Sequence, residues 1–202
     1  MTGTPRPVRV LVLGASLRKE SFNVRLAGLA ARTAAAHGAS VTTVDYASLA
    51  VPPLDTDLLE TDGVPEGARR FGALLNETDG FILAAPEYNY SVSGVLKNLI
   101  DWTSRIRPWP FIGRHALLLS ASTGAVGGVR GLWALRVPLE GLGTHVYPDM
   151  FPLADAASAL TAGDDLADQG MGDRLSRIVG GFLDLTEAAH QHVPARRRGR
   201  TE

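Results

Sequence analysis

The stretch LGASLRKESFNVRLA, residues 13–27, carries hydrogen-bond donors at a place where an apolar strand usually ends in a plain turn. Ser16, Ser21 and Asn23 offer neutral donors, and Arg18 offers a permanently charged guanidinium that suits phosphate oxygens. The helix predicted to follow adds unpaired backbone N–H groups and a partial positive charge at its N-terminus. Together these groups predict a binding site for a phosphate monoester.

The same stretch also allows a simpler interpretation. Ser21 or Asn23 would then only cap the helix, and Arg18 would lie in solvent. For an isolated S-x-R-x-x-S pattern the simpler interpretation is favoured. The pattern is not isolated, because two later loops, residues 86–93 and 121–128, also follow apolar strands and carry unusual chemistry.

Three common motifs of phosphate binding and nucleophilic catalysis are missing from the sequence. There is no G-x-x-x-x-G-K-[ST] string of a P-loop, and no G-x-G-x-x-G fingerprint follows the first strand, where Gly14 stands alone. A G-x-S-x-G nucleophile elbow is excluded because Arg18 occupies the position of its second glycine. These absences disfavour nucleoside triphosphate binding, an NAD-only Rossmann site and serine hydrolase activity.

The composition narrows the class of partner. The 202 residues are 45% hydrophobic and 20% charged with a net charge of -1, which fits one α/β domain and disfavours binding to nucleic acid or to an anionic membrane. The absence of cysteine excludes disulfides, thiolate metal sites and cysteine nucleophiles. The histidines show no metal-ligand spacing beyond His190 and His192, which lie near the end of the last predicted helix, so no metal is expected. No apolar run approaches the length of a membrane span, and the simplest location is the cytoplasm.

Strand-like and helix-like segments alternate along the chain. Strands are predicted at residues 8–15, 40–46, 80–86, 115–122 and 144–148, and helices at residues 23–38, 67–79, 93–105, 129–141 and 165–189. Gly38 is placed to end the first helix, and residues 50–66 are predicted to be a surface loop rich in Pro, Asp and Gly. The alternation predicts an α/β fold with a doubly wound five-stranded parallel sheet and helices on both faces, either flavodoxin-like or a small Rossmann relative. Ligands of such folds bind at the carboxyl ends of the strands, where the three loops are expected to gather.

The sequence indicates a single domain. Residues 8–190 are expected to form it, with residues 1–7 as a flexible N-terminus and residues 191–202 as a basic, disordered tail. The ARRRGR segment in that tail, residues 195–200, is interpreted as solvated, with binding to an anion as the alternative.

Three motifs on three successive loops carry a family resemblance. They are GASLRKESFN at residues 14–23, APEYNYSVSGVLKNLIDW at residues 85–102 and STGAVGGVRG at residues 122–131. With them the chain resembles the NADPH-dependent FMN reductases, a flavodoxin-like group that includes soluble quinone, azo-dye and chromate reductases, over residues 8–185. The DQG segment at residues 168–170 also looks like a family feature. The chain departs from the family pattern at Ser93, where members usually carry proline, and at Ala15, in a segment that often reads glycine-serine.

The resemblance implies three sets of cofactor-binding residues. The first loop would hold the FMN phosphate and ribityl chain, with cofactor-binding residues Ser16, Arg18, Ser21, Phe22 and Asn23. The second loop would line the isoalloxazine ring with Pro86, Glu87, Tyr88 and Asn89. The third loop would close the other edge of the ring with Ser122, Thr123 and Gly124.

Some of these loop residues also have a structural interpretation. Two roles are open for Glu87: it either shapes the flavin pocket or pairs with Arg18 or Lys97. Tyr90 has a surface position as its alternative, whereas Tyr88 is assigned to the flavin. The two glycines at residues 127–128 serve either a turn into the next helix or room for a flat ring.

The resemblance implies an NAD(P)H-dependent FMN-containing oxidoreductase of ping-pong type. FMN would take hydride from NADPH or NADH and pass two electrons to a quinone-like or other small acceptor. Backbone N–H groups of the tight loops would stabilise the negative charge that develops at flavin N1 and the C2 carbonyl, so no side chain is assigned as catalytic acid or base. The alternative is a non-enzymatic FMN electron carrier of flavodoxin type, although such carriers are usually acidic and use a threonine-rich phosphate loop.

The resemblance also implies a homodimer or homotetramer. The segments LKNLIDW at residues 96–102 and TSRIRPWPF at residues 103–111 are the expected contacts, because they put apolar and aromatic residues beside the second loop. Core or subunit contact, rather than substrate binding, is therefore the role assigned to Ile100, Trp102, Trp109 and Phe111.

Overall fold

Strands and helices alternate along the part of the chain that the computed structural model describes, residues 6–18 and 20–192. The strands are β1 (Arg9–Gly14), β2 (Ser40–Thr43), β3 (Gly80–Ala84), β4 (Glu87–Tyr88), β5 (Ser91–Val92), β6 (His115–Ala121), β7 (His145–Val146) and β8 (Phe151–Leu153). The helices are α1 (Phe22–Ala36), α2 (Thr56–Asp62), α3 (Glu66–Glu77), α4 (Gly94–Thr103), α5 (Val129–Gly141), α6 (Ala156–Ala159) and α7 (Gln169–His192). The predictions of a flexible N-terminus and a disordered basic tail fall almost entirely outside the described residues.

A parallel sheet with strand order β2-β1-β3-β6-β7 forms the centre of the fold. Its fifth position is shared, because β7 pairs with the beginning of β6 and β8 pairs with residues 119–121 at the end of β6. This order is the flavodoxin-type doubly wound arrangement. The prediction of a five-stranded parallel sheet is confirmed, with the fifth position split into two short strands.

Helices cover both faces of the sheet, as predicted. Leu11 and Leu13 of β1 pack on the face covered by α3, α4 and α5, whereas Val10 and Val12 pack on the face covered by α1 and α7. All four side chains are buried, because successive residues of a strand point to opposite faces and helices cover both. Burial on both faces is the reason why β1 reads as a continuous apolar run in the sequence.

The prediction of an irregular loop at residues 50–66 is wrong. The segment contains α2, which begins after Asp55, whose carboxylate accepts a hydrogen bond from the Asp57 N–H at 2.9 Å. The helix ends at Gly63, whose φ of 75° favours glycine. The cap at Asp55 and the positive φ at Gly63 thus allow a short helix in a segment whose Pro, Asp and Gly content predicts a loop.

The other differences concern short elements and one helix start. The helix α7 begins at Gln169 rather than at residue 165, because Asp168 Oδ1 accepts a hydrogen bond from the Met171 N–H at 2.8 Å and starts the helix there. The DQG segment therefore forms the start of α7. The sequence pattern does not predict β4, β5, β8 or α6, because each is too short to show a periodicity. Among the described residues, no helix combines the length and the apolar character needed to cross a membrane.

Candidate functional site

The three predicted loops leave neighbouring strands at the same edge of the sheet. Gly14 pairs with Ala84, and Ala84 pairs with Leu119, so the carboxyl ends of β1, β3 and β6 lie side by side. The ladder continues for one residue, since the Ala15 N–H donates to the Ala84 carbonyl and the Ala85 N–H to the Leu119 carbonyl, each at 2.9 Å. The expectation that these loops gather at one edge is confirmed.

The first loop turns sharply at the end of β1. The Ser16 N–H donates to the Gly14 carbonyl at 2.9 Å and closes a tight turn. Glycine is required at this position, because a Cβ on Gly14 would lie 2.7 Å from the Val24 Cα. The close approach of β1 and α1 brings the N-terminus of the helix to the carboxyl edge of the sheet, where it favours an anion.

Two serine hydroxyls of the first loop accept hydrogen bonds from the backbone. Ser21 is the N-cap of α1, and its Oγ accepts from the Asn23 N–H at 3.2 Å. The Ser16 Oγ accepts from the Arg18 N–H at 3.3 Å. Each hydroxyl keeps its own proton for a further acceptor. Ser21 therefore has the capping role of the simpler interpretation and still offers a donor to an anion.

The Arg18 side chain is exposed and makes no hydrogen bond or ion pair with the residues that the structure describes. Its charge adds to the partial positive charge at the N-terminus of α1 and to the hydroxyls of Ser16 and Ser21. Phe22 is half-buried and packs against the core on the side of α1 and α7. The first loop thus forms a positive corner around Arg18, which makes no ion pair with a described carboxylate, although the exposed Glu20 lies two positions further along the loop.

Asn23 is engaged within the protein. Its buried side chain makes two hydrogen bonds with the Ala121 backbone, because Nδ2 donates to the carbonyl and Oδ1 accepts from the N–H, both at 2.9 Å. The amide thereby ties the start of α1 to the end of β6. The Asn23 oxygen and one of its N–H groups thus serve a buried contact, and the second N–H is left for a ligand. That Asn23 binds the cofactor stays a prediction.

The second loop forms a two-stranded hairpin of β4 and β5. Tyr88 pairs with Ser91, which leaves Asn89 and Tyr90 as a two-residue turn. Both turn residues have positive φ, 50° and 67°, as a type I′ turn requires. Tyr90 lies at the surface, which agrees with the alternative interpretation of this residue. The Tyr88 ring is also exposed and is therefore open to a ligand. The half-buried Pro86 connects this hairpin to β3.

Glu87 has a partner that the sequence did not indicate. Its Oε1 accepts a hydrogen bond from Arg130 Nε and its Oε2 from the Gly131 N–H, both at 3.0 Å, at the start of α5. The predicted pairing with Arg18 or Lys97 is therefore wrong, and Lys97 pairs with an aspartate on its own helix. The two partners are 43 positions apart, and no local pattern signals the contact.

The same arginine holds the tip of the hairpin. The Arg130 guanidinium lies 4.2 Å from the centre of the Tyr90 ring, a cation–π contact. Glu87 and Tyr90 thus fasten both ends of the hairpin to α5. Arg130 is a positioning residue of the second loop, and sequence reasoning did not find this role.

The third loop presents small and polar residues between β6 and α5. The Ser122 Oγ accepts a hydrogen bond from the Gly124 N–H at 3.1 Å, and Thr123 and Gly124 are exposed. Gly127 and Gly128 have φ values of 62° and 83°, and a Cβ on either would collide with neighbouring protein atoms. These two glycines serve the turn into α5 and its close packing, since protein already fills the space beside them.

Three of the four residues assigned to the core or to a subunit contact lie in the core of this chain. Ile100, Trp102 and Phe111 are buried, and Trp102 Nε1 donates to the Pro52 carbonyl at 2.7 Å. Trp109 is partly exposed. The apolar side chains at positions 96, 99, 100 and 102 all lie in the core of this chain. These four side chains are therefore not available to another subunit, and a subunit contact by the LKNLIDW and TSRIRPWPF segments stays a prediction.

The three loops present donors for an anion and an open surface for a flat ligand. They contain two carboxylates: Glu87 is already bound to Arg130 and to a backbone N–H, and Glu20 is exposed in the first loop. Within residues 6–18 and 20–192, no group of three His, Cys, Asp or Glu side chains could hold a metal ion. Redox chemistry at this edge would have to come from a bound organic cofactor.

Comparison with known proteins identifies the family. A family model described as NADPH-dependent FMN reductase matches residues 8–158. The chain belongs to the NADPH-dependent FMN reductase family. The quinone reductase of Escherichia coli (strain K12) is 38% identical over 131 residues, which cover 64% of this chain and 68% of that protein. An NAD(P)H-dependent FMN reductase of Pseudomonas aeruginosa is 36% identical over 138 residues, which cover 68% of this chain and 72% of that protein.

A solved structure agrees with this family. FerB from Paracoccus denitrificans, a flavoenzyme NAD(P)H:(acceptor) oxidoreductase, is similar with a TM-score of 0.78 and 26% identity, over 90% of this chain and 98% of that chain. The chain is thus a flavodoxin-like oxidoreductase of a family that uses FMN and NAD(P)H.

The residues present at the carboxyl edge fit FMN. An FMN phosphate needs a positive corner with free donors, which Arg18, the hydroxyls of Ser16 and Ser21, and the N-terminus of α1 supply. A flat ring needs an accessible surface bordered by small residues, and the other two loops offer the exposed Tyr88 and Gly124.

Proposed function

We propose that this protein is an NAD(P)H-dependent FMN oxidoreductase whose acceptors are quinones or similar small molecules. The observation that most directly supports the proposal is the convergence of the three loops at one sheet edge, with a positive corner on the first loop and open, small residues on the third. The relative from Escherichia coli that is named a quinone reductase supports the class of acceptor.

In this proposal the first loop holds the phosphate and ribityl chain of FMN. Arg18 supplies the charge, Ser16 and Ser21 supply hydroxyl donors, and the first turn of α1 supplies backbone N–H groups. Asn23 acts indirectly, by holding the start of α1 against the end of β6. Phe22 packs the same turn against the core.

The second and third loops orient the ring. The hairpin contributes Pro86, Glu87, Tyr88 and Asn89, and the third loop contributes Ser122, Thr123 and Gly124. Glu87 acts by fastening the hairpin to α5 rather than by moving a proton, because Arg130 and the Gly131 N–H occupy its carboxylate. Bound FMN supplies hydride and two-electron chemistry. The exposure of Tyr88 and Thr123 keeps the site open, which suits two successive partners of different shape.

Anaerobic reconstitution with FMN tests the function. The full chain is loaded with FMN, and NADPH and then a benzoquinone are added while the flavin absorbance is recorded. We expect NADPH to bleach the oxidised flavin band and the quinone to restore it. Failure to bind FMN would contradict the phosphate site, and binding without reduction by NADPH would favour the electron-carrier alternative.

Arg18→Ala tests the phosphate corner separately from turnover. We expect the FMN dissociation constant to rise about tenfold, because a charge-assisted hydrogen bond contributes about 1.5–3 kcal/mol before solvent screening. Arg70→Ala is the matched control, since Arg70 is also exposed but lies on α3, outside the three loops. A fluorescence titration that gives equal losses for both variants would show that only net charge matters.

We propose further that the protein forms a homodimer or homotetramer. Apolar side chains on the outer face of α5 support this, because Trp133 is 57% exposed and Val137 is 72% exposed. The two are one turn apart on the same helix face, and Trp109 adds a further exposed aromatic. Sedimentation at micromolar concentration tests the assembly, and a monomer would contradict it.

We also propose a cytoplasmic location, because the cytoplasm holds the NADPH and NADH that such an enzyme consumes. Cell fractionation followed by immunodetection tests the location. Recovery in a membrane or extracytoplasmic fraction would contradict it.

A further inference from the structure

A cavity of about 470 Å³ lies at the amino-terminal edge of the sheet, opposite to the three flavin loops. Asp79 directly precedes β3, while His115 and His145 begin β6 and β7, and all three line the cavity. The seven residues of β6 separate the two edges by roughly 20 Å. The cavity is therefore distinct from the flavin site.

The cavity has an apolar wall and a polar wall. Leu185 and Ala189 of α7 contribute to the apolar wall. The polar wall contains Arg114 and three imidazoles, those of His115, His145 and His190. A cavity of this volume, with a few polar groups facing an apolar surface, has the character of a small-molecule site.

The negative charge of Asp79 on the polar wall is already neutralised. Its carboxylate oxygens accept hydrogen bonds from the Arg6 guanidinium at 2.7 and 2.8 Å and from the Arg9 N–H at 2.9 Å. The Arg9 guanidinium adds a longer contact at 3.4 Å. His190 belongs to the same cluster, because its Nε2 lies 2.8 Å from Arg6 Nη2 and its Nδ1 lies 3.7 Å from Asp79 Oδ1. A ligand in the cavity therefore meets Arg114, His115 and His145 without competing for a free carboxylate.

Two buried nitrogen atoms of the polar wall lack a hydrogen-bond partner among the described residues, Arg114 Nε and His115 Nδ1. Arg114 is anchored at its other end, because Nη1 donates to the Thr78 carbonyl at 2.7 Å. The His115 and His145 rings lie 5.1 Å apart. These two atoms are themselves enclosed by protein. The polar wall offers a ligand other N–H groups of Arg114 and the imidazoles, and such groups favour a ligand rich in hydrogen-bond acceptors.

We propose that this cavity binds a phosphate monoester whose organic part is a small ring or an apolar group. The phosphate would accept hydrogen bonds from Arg114 and from the imidazoles of His115 and His145, and the organic part would pack on Leu185 and Ala189. A tetrahedral phosphate has acceptors in several directions, which matches donors from two strand starts better than a planar carboxylate does. A metal ion is disfavoured, because Arg6, Arg9 and Arg114 surround the polar wall and the described residues hold no three-ligand group.

Binding strengthens as the pH falls through the range in which histidine titrates. Burial, and secondly the neighbouring His145, lower the pKa of His115, whereas a bound dianion favours the charged imidazole. The other charged and titratable groups on the elements packed here are Arg6, Arg9, Asp79, Arg114, His145, His190 and, on the side of α7 that lines a separate groove, Asp184 and Glu187. Proton uptake by the His115 imidazole therefore accompanies binding.

The test is a calorimetric titration of the FMN-loaded protein with phenyl phosphate. FMN occupies the phosphate corner of the first loop, so the heat reports the second site. We expect the dissociation constant to rise about fivefold or more in His145→Gln, the size expected for one lost hydrogen bond. His37→Gln is the matched control, because His37 is exposed, lines the separate groove and bonds to Ser176 Oγ.

Two outcomes would overturn the proposal. One is the absence of phenyl phosphate binding to the FMN-loaded protein, and the other is an equal loss of affinity in His145→Gln and His37→Gln. Binding that is about fivefold tighter at about pH 6.5 than at about pH 8 would support the role of the His115 imidazole. FMN affinity and quinone reduction are expected to be unchanged in His145→Gln, so failure here is distinguishable from failure of the proposed FMN function.

Discussion

Replacement of Asn23 by alanine tests how the flavin edge is assembled. The Asn23 side chain is 4% exposed and makes two hydrogen bonds of 2.9 Å with the Ala121 backbone. Ala121 is itself 5% exposed, so water cannot readily replace the amide. Asn23→Ala therefore leaves a buried N–H and a buried carbonyl without partners.

The magnitude follows from these two groups. Each buried polar group that loses its partner costs about 1–3 kcal/mol, so we expect a loss of about 3 kcal/mol in the free energy of unfolding. Domains are typically stable by about 5–15 kcal/mol, so this loss is a large part of the total. The start of α1 would also be released from β6, and we expect weaker FMN binding as a second effect.

Urea denaturation of the FMN-free protein measures the loss. Asn76→Ala is the control, because Asn76 is exposed on α3 and its change should stay within about 0.5 kcal/mol. If Asn23 served only as a phosphate donor, Asn23→Ala would keep the stability of the FMN-free protein and weaken FMN binding alone, which would refute the reasoning. If Asn23→Ala does not fold, Asn23→Asp keeps the acceptor for the Ala121 N–H and should lose less.

Two further predictions concern close packing and an ion pair, both measured by urea denaturation. Gly14→Ala should lower the free energy of unfolding by about 1–3 kcal/mol, because the new Cβ would lie 2.7 Å from the Val24 Cα. Gly28→Ala is the control: its Cβ would have nothing within 4 Å, so the free energy of unfolding should rise by about 0.5–1 kcal/mol. Similar effects of the two variants would contradict the packing argument. Burial alone would raise the pKa of Asp79, but hydrogen bonds and charge from two neighbouring arginines hold that pKa well below its usual value. Because a lowered pKa stabilises the folded state at neutral pH, the stability advantage over Asp79→Asn should shrink below about pH 4, and a constant advantage would contradict the ion-pair assignment.

The sheet and its main helices could be predicted because the apolar pattern within each segment shows which of its faces are buried. Strands covered on both faces read as apolar runs, as β1 does, and the predicted helix at residues 129–141 has the observed bounds of α5. The helix α2 was missed because its capping residues, Asp55 and Gly63, also raise the turn-forming content of the segment. For the fifth position of the sheet, the predicted strand at residues 144–148 contains β7 but not β8, because these strands have only two and three residues.

The candidate site could be predicted as three loops but not as a set of contacts. Ser21 has the cap position that local spacing indicates, and Arg18 is exposed as either interpretation requires. Glu87 pairs with Arg130 instead of the cations that were proposed for it. Which partner a polar side chain takes depends on which elements the fold brings together.

The sequence by itself determined the order of strands and helices, the three loops rich in donors and small residues, and the resemblance to the FMN reductases. These features are local, because periodicity, end signals and motifs act over a few residues. Only the tertiary structure decided that Asn23 bonds to the backbone 98 positions away, that Glu87 bonds to Arg130, and that three histidines line one cavity at the opposite edge. The physical reason is that hydrogen bonds and ion pairs form between groups that folding brings within about 3 Å, and distance along the chain does not encode that proximity.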